Sequence, residues 1–136
     1  MVQVQLGYAA DGVGNGVAYA RLSSRTGERL VRAAFRVPLR QGQDDTIRLR
    51  LVSYGALTEV ALLLSDHGID RVSFLVPDAN LVSDRNEHRD VPPPIVLPYV
   101  RLGCALNRFK SYTLAVGDDP DLIHRARAEV ALNHAA

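Results

Sequence analysis

The chain has 136 residues with 47% apolar side chains, enough to bury one core and too apolar for global disorder. A net charge of +1 excludes an argument for nonspecific polynucleotide binding from total charge, and a single cysteine excludes an internal disulfide or a thiolate metal cluster. No apolar run is long enough to cross a bilayer, so no membrane partner is expected.

Taken in order, the first third reads as strands. Val2, Val4, Leu6 and Tyr8 alternate with Gln3, Gln5 and Gly7, the period of a half-buried strand. "DGVGNG" interrupts it with three glycines, and "VAYARLSS" follows as a second strand. "SRTG" is a hairpin turn into "ERLVRAAFRVPL", with Val31, Ala33, Phe35 and Val37 on one face and Arg32 and Arg36 on the other. Residues 21–50 hold eight arginines against Glu28, Asp44 and Asp45, a local basic surplus. Arginine forks suit phosphate or carboxylate, so Arg32 and Arg36 are candidate nucleic-acid contacts, although an exposed strand face or a salt-bridge network explains them better.

The periodicity then changes. Asp45 or Thr46 can cap a helix whose stripe is Leu49, Val52, Ala56, Val60 and Leu63, and Gly68 ends it. "RVSFLV" (71–76) reads as a strand buried on both faces. "SDRNEHRDVPPP" is polar and proline-terminated, so an exposed loop is expected. Pro98 can begin a second helix burying Tyr99, Leu102, Leu106 and Phe109, with Cys104 as a small core residue. "SYTLAV" (111–116) is a fifth strand, and "GDDPD" opens a last helix carrying Ile123, Ala126 and Val130. The order βββαβαβα implies one α/β domain, residues 1–136, with a five-stranded mixed sheet flanked by helices.

With that order in place, "SYGALTEVALLLSDHGIDRVSFLVPDANLV" resembles the ribonuclease H-like superfamily. Tyr54, Ala56, Leu57, Gly68, Ile69, Val72, Asp78, Leu81 and Val82 match its pattern with one extra residue near Pro77. "GYAADGVGNGVAYARL" resembles its aspartate-glycine turn into a glycine-rich second strand, and "ARAEVALNHA" its last helix. The resemblance implies a nucleic-acid-cutting site in which carboxylates hold two divalent metals, Mg²⁺ or Mn²⁺, one activating water and one stabilising the leaving oxygen. Carried onto this chain, it makes Asp11, Asp78 and Glu129 the candidate catalytic and metal-binding acids, while Ser53 stands where a helix glutamate is expected. A hydroxyl supplies neither the charge nor the reach of that ligand. Arg50, one turn earlier, brings positive charge to the same place, and Glu59 faces elsewhere on a 3.6-residue helix.

The first expectation is therefore a divergent, noncatalytic ribonuclease H-like domain, a pseudoenzyme that binds RNA, DNA, an RNA–DNA hybrid or a protein partner. The alternative is an active metal-dependent ribonuclease acting on hybrids, with Asp118 or Asp119 as a replacement ligand. A further alternative is a self-associating structural protein with no nucleic-acid role. With no basic segment leading into an apolar core near Met1, a cytoplasmic, reducing compartment is expected. The four histidines have no metal-ligand spacing, and "GVGNG" lacks the Gly-Lys-Ser/Thr of a phosphate loop.

Overall fold

The computed structural model describes residues 1–135. Three strands, β1 (Val2–Ala10), β2 (Asn15–Ser24) and β3 (Gly27–Arg36), form the expected antiparallel meander. The turn between β1 and β2 is held by the Asp11 carboxylate, which accepts from the backbone N–H of Val13 and of Asn15, both at 3.0 Å. Gly14 closes that turn at φ +98°, and a Cβ there would sit 1.8 Å from the Val37 carbonyl oxygen. Only glycine satisfies both conditions.

Helix α1 (Asp45–Asp66) crosses the sheet. Its cap is Asp44, one residue earlier than expected, accepting from the N–H of Thr46 at 2.7 Å. Its buried face carries Leu51, Tyr54, Leu57, Ala61 and Leu64 together with Ala56 and Val60, whereas Leu49 is 68% exposed. The expected stripe was rotated because α1 is covered on two sides, by the sheet and by a neighbouring helix, so its buried arc is wider than one amphipathic stripe.

Strand β4 (Arg71–Val76) runs parallel to β1, and β5 (Ser111–Val116) runs parallel to β4. The sheet order is β3-β2-β1-β4-β5. In β4 only Val72, Phe74 and Val76 are buried, which corrects the expectation of burial on both faces. The last helix, α4 (Pro120–Ala135), packs against β1 and β2, and Ser73 and Leu75 on the second face of β4 are only partly covered. Leu122 and Ala126 are its buried residues, with Ile123 and Val130 at the margin.

Two further corrections concern residues 79–106. A helix, α2 (Ala79–Asn86), occupies the start of the expected exposed loop, so the element order is βββαβααβα. Its residue Asp84 is 1% exposed, receiving Arg50 Nη2 at 2.6 Å, the Tyr54 hydroxyl at 2.9 Å and Arg89 Nη2 at 3.1 Å. Asp84 is polar for the sake of buried ion pairing, whereas residues 86–90 beyond it are exposed as expected. Helix α3 (Pro93–Leu106) starts at the proline run instead of at Pro98, which lies inside it, and Cys104 is exposed rather than in the core.

The main core lies between the sheet and the α1–α3 layer and includes Leu6, Tyr54, Phe74, Ile95 and Leu106. The opposite side is thinner. There the α4 backbone rests directly on β1: a Cβ on Gly7 would meet Leu122 Cβ at 2.6 Å and the Ile123 nitrogen at 2.7 Å. Among the described residues no helix is long and apolar enough to cross a membrane.

Candidate functional site

The parallel strands β1 and β4 point the same way; β1 runs past the level of Val76 into the Asp11 turn, and β4 leads into α2. Such strand ends are where open α/β sheets form ligand crevices. A cleft of about 550 Å³ lies there. Its polar lining comes from Tyr8 on β1, Arg50 and Ser53 on α1, Asp78 and Asn80 at the start of α2, Asp118 after β5 and Arg127 on α4. Leu49, Val52 and Ile123 supply apolar walls.

The candidate acids separate in this geometry. Asp78 lines the cleft and caps α2, accepting from the N–H of Leu81 at 3.1 Å. Asp11 does not line it; its carboxylate is occupied by its own turn. Slight burial opposes ionisation of Asp11, and the N–H groups of Asn15 and Val13 outweigh it, holding the carboxyl below its ordinary value. Glu129 is also outside the cleft lining: it receives Arg32 Nε at 2.9 Å and the Tyr19 hydroxyl, an ion pair joining α4 to β2 and β3. Arg32 is thus engaged with Glu129, while Arg36 lies exposed on β3. Of the two alternative acids, Asp118 faces the cleft, whereas Asp119 pairs with Arg21 at 3.1 Å and accepts from the N–H of Leu122 at 3.2 Å.

At the centre stands a residue read from the sequence only as part of a strand face. The Tyr8 hydroxyl donates to Ser53 Oγ at 2.6 Å, and Ser53 donates to the Leu49 carbonyl at 3.0 Å. Burial pushes the Tyr8 phenol well above its ordinary pKa against the lowering effect of the Ser53 bond, and the charges of Asp78 and Asp118 push the same way. The phenol is therefore a stable neutral donor at physiological pH. The alternation Val4, Leu6, Tyr8 already put this side chain on the core face at the strand end; the hydroxyl at that end was the available signal.

This donor set does not fit a pair of divalent cations. Among the described residues no three His, Cys, Asp or Glu side chains converge on a common point. The cleft offers Asp78 and Asp118 with two mutually bonded hydroxyls, and Arg50 and Arg127 line the same space. Hard, anionic oxygens in near-octahedral array are what such ions require.

Glu129 gives a pH test of the α4 attachment. Its carboxyl is lowered from 4.5 to about 2, first by the Arg32 guanidinium and then by the Tyr19 hydroxyl, against a smaller desolvation effect. A depressed folded-state pKa contributes stability above about pH 4.5 that is lost as pH falls toward 2. Because Arg32 is half exposed, screening limits the contribution to about 1 kcal/mol or less. Urea melts should show wild type losing this increment between pH 4.5 and 2 while Glu129→Gln does not; parallel pH profiles would refute the assignment.

The sheet order and helix placement define the ribonuclease H-like fold. The chain superposes on ribonuclease H1 from the halophilic archaeon Halobacterium salinarum NRC-1 with a TM-score of 0.71 and 17% identity, covering 97% of this chain and 98% of that one. The N-terminal RNase H domain of a Mycobacterium tuberculosis protein, solved as a fusion with maltose-binding protein, gives a TM-score of 0.68 at 14% identity over the full length of both chains. LC11-RNase H1, solved with an RNA/DNA hybrid, gives 0.68 at 12% identity over 94% of this chain and 92% of that one. At these identities the likeness is one of fold. No protein-family model and no curated protein sequence matches the chain.

Proposed function

We propose that this chain is a noncatalytic ribonuclease H-like domain that binds nucleic acid rather than cutting it. The observation that carries the reading is the Tyr8–Ser53 hydrogen bond in the cleft, with Ser53 standing where the resemblance calls for a glutamate. Two neutral hydroxyls that satisfy each other offer no charge to a cation; Arg50 is held by Asp84, but Arg127, in no ion pair among the described residues, makes the cleft more hospitable to phosphate oxygens. The solved complex of LC11-RNase H1 with an RNA/DNA hybrid supports the choice of ligand. A cytoplasmic location belongs to the same reading.

The competing reading, an active nuclease, draws on Asp78 and Asp118 sharing the cleft. A labelled RNA–DNA hybrid incubated with the protein in Mg²⁺ and in Mn²⁺ separates the two. The expected result is no cleavage, with retention of the hybrid that weakens steeply between 50 and 200 mM salt. Cleavage by wild type that disappears in Asp78→Asn would overturn the proposal. Neither cleavage nor retention at low salt would also overturn it, in favour of a role without nucleic acid.

A further inference from the structure

Helix α3 buries Ile95, Leu102, Ala105 and Leu106 and packs on α1. Its opposite face should be polar in a helix that ends at solvent. Instead Pro93, Val96, Leu97, Val100 and Cys104 recur at three- and four-residue spacing and are all exposed, with Val96, Leu97 and Val100 at 48%, 57% and 53%. None of them lines the cleft. A continuous aliphatic stripe of this kind on a surface helix marks an interaction site more often than scattered exposed side chains do.

The borders of the stripe say what fits it. On the helix wheel Arg101 follows one edge, and Arg108 lies just past the helix end. Along the other edge runs Arg85 of α2, whose guanidinium stacks 4.6 Å from the Tyr99 ring centroid and lies 3.1 Å from where a Gly103 Cβ would stand. Arg108 is matched by Asp66 at 3.3 Å, but among the described residues neither Arg85 nor Arg101 has a carboxylate within 4.0 Å. Arg85 Nε is moreover buried without a hydrogen-bond partner. An aliphatic strip between two uncompensated cations is complementary to an aliphatic strip between acids. A second copy would set arginine against arginine, and a nucleic acid would find no exposed aromatic ring in the stripe on which to stack.

We infer that α3 is a docking surface for a protein partner that presents an amphipathic helix, aliphatic along one stripe and flanked by Asp or Glu. The geometry is helix against helix: aliphatic side chains interdigitate along the stripe, and the acids reach Arg101 on one side and Arg85 on the other. The inference goes beyond the proposed reading of the cleft and holds whether or not the cleft cuts.

The test uses the full chain and a fluorescent synthetic peptide, an 18-residue helix with leucine at heptad a and d positions and glutamate at e and g. Fluorescence anisotropy should show saturable binding that is at least tenfold weaker for the isomer with lysine in place of glutamate. Leu97→Glu and Arg101→Glu should each weaken the acidic peptide about tenfold; both positions are exposed, and circular dichroism checks their folding. Equal affinity for the two peptides, or unchanged affinity in Leu97→Glu, would sink the proposal. So would light scattering that shows a dimer abolished by Leu97→Glu, which assigns the stripe to a second copy. Loss of hybrid retention in Leu97→Glu with no peptide binding by wild type would assign it to nucleic acid, again overturning the inference.

Discussion

Replacing Asp84 with alanine lowers the unfolding free energy by about 3–5 kcal/mol, the cost of leaving a buried ion without its partner. Asp84 is 1% exposed and Arg50 is 13% exposed, so neither charge can turn to water without opening the α1–α2 contact. The Tyr54 hydroxyl, bonded to the same carboxylate oxygen at 2.9 Å, loses its acceptor too. Arg89 is different. It reaches Asp84 from the surface at 3.1 Å and is 46% exposed, so Arg89→Ala changes stability by about 1 kcal/mol or less. Urea denaturation of the two variants beside wild type is the measurement. An Asp84→Ala loss below about 1 kcal/mol would mean that Arg50 finds another partner, and the carboxylate would no longer explain why that arginine stays at the cleft.

The second expectation concerns the cleft itself. The double variant Tyr8→Asp/Ser53→Glu gathers two new carboxylates beside Asp78 and Asp118, and without metal it melts below wild type from their mutual repulsion. Millimolar Mn²⁺ then stabilises it. At about 100 times the dissociation constant the gain is about 2.7 kcal/mol, a rise in Tm on the order of 5–10 °C. Wild type shows no such rise. Calorimetry with and without Mn²⁺ decides: a variant that ignores the ion would show that acids at Tyr8 and Ser53 do not complete a metal site with Asp78 and Asp118. An equal shift in wild type would show that its native oxygens already suffice, contrary to the proposed function.

Much of the architecture was legible because it rests on local period. Alternation in Val2 to Tyr8 and in Val31 to Val37, glycine at the turns and the long helical repeat after Asp44 each carry their own signal, and together they leave few topologies. The helix at Ala79–Asn86 was not legible, since Asp84 is polar for the sake of Arg50 and Tyr54, which lie 34 and 30 residues away in sequence. Pro98 misled in the same way: a proline signals a helix start by propensity, but the Pro92–Pro94 run starts this one and tertiary packing carries the chain past Pro98.

The site was less legible than the fold. A carboxylate before a glycine draws the eye to Asp11, but the strand has ended by then and the acid turns back on its own loop. Tyr8, three residues earlier, is what the strand delivers to the cleft. The same displacement affects α4, where Arg127 faces the cleft and Glu129, two residues on and about 200° around the helix, faces Arg32. Residue type suggests chemistry, but the face on which a residue lands decides whether it can take part.

One wall of the cleft is fastened differently from the others. Tyr8, Ser53 and Asp78 belong to elements sharing the main core, whereas Ile123 and Arg127 ride on α4, held by Leu122 and Ala126 and by the Arg21–Asp119 and Arg32–Glu129 ion pairs. Such an element opens on its own, below the free energy of global unfolding, and more readily as salt rises. The cleft is then whole only while α4 is docked. Any occupant that touches both sides becomes a clasp, slowing hydrogen exchange along α4 by the free energy of its own binding.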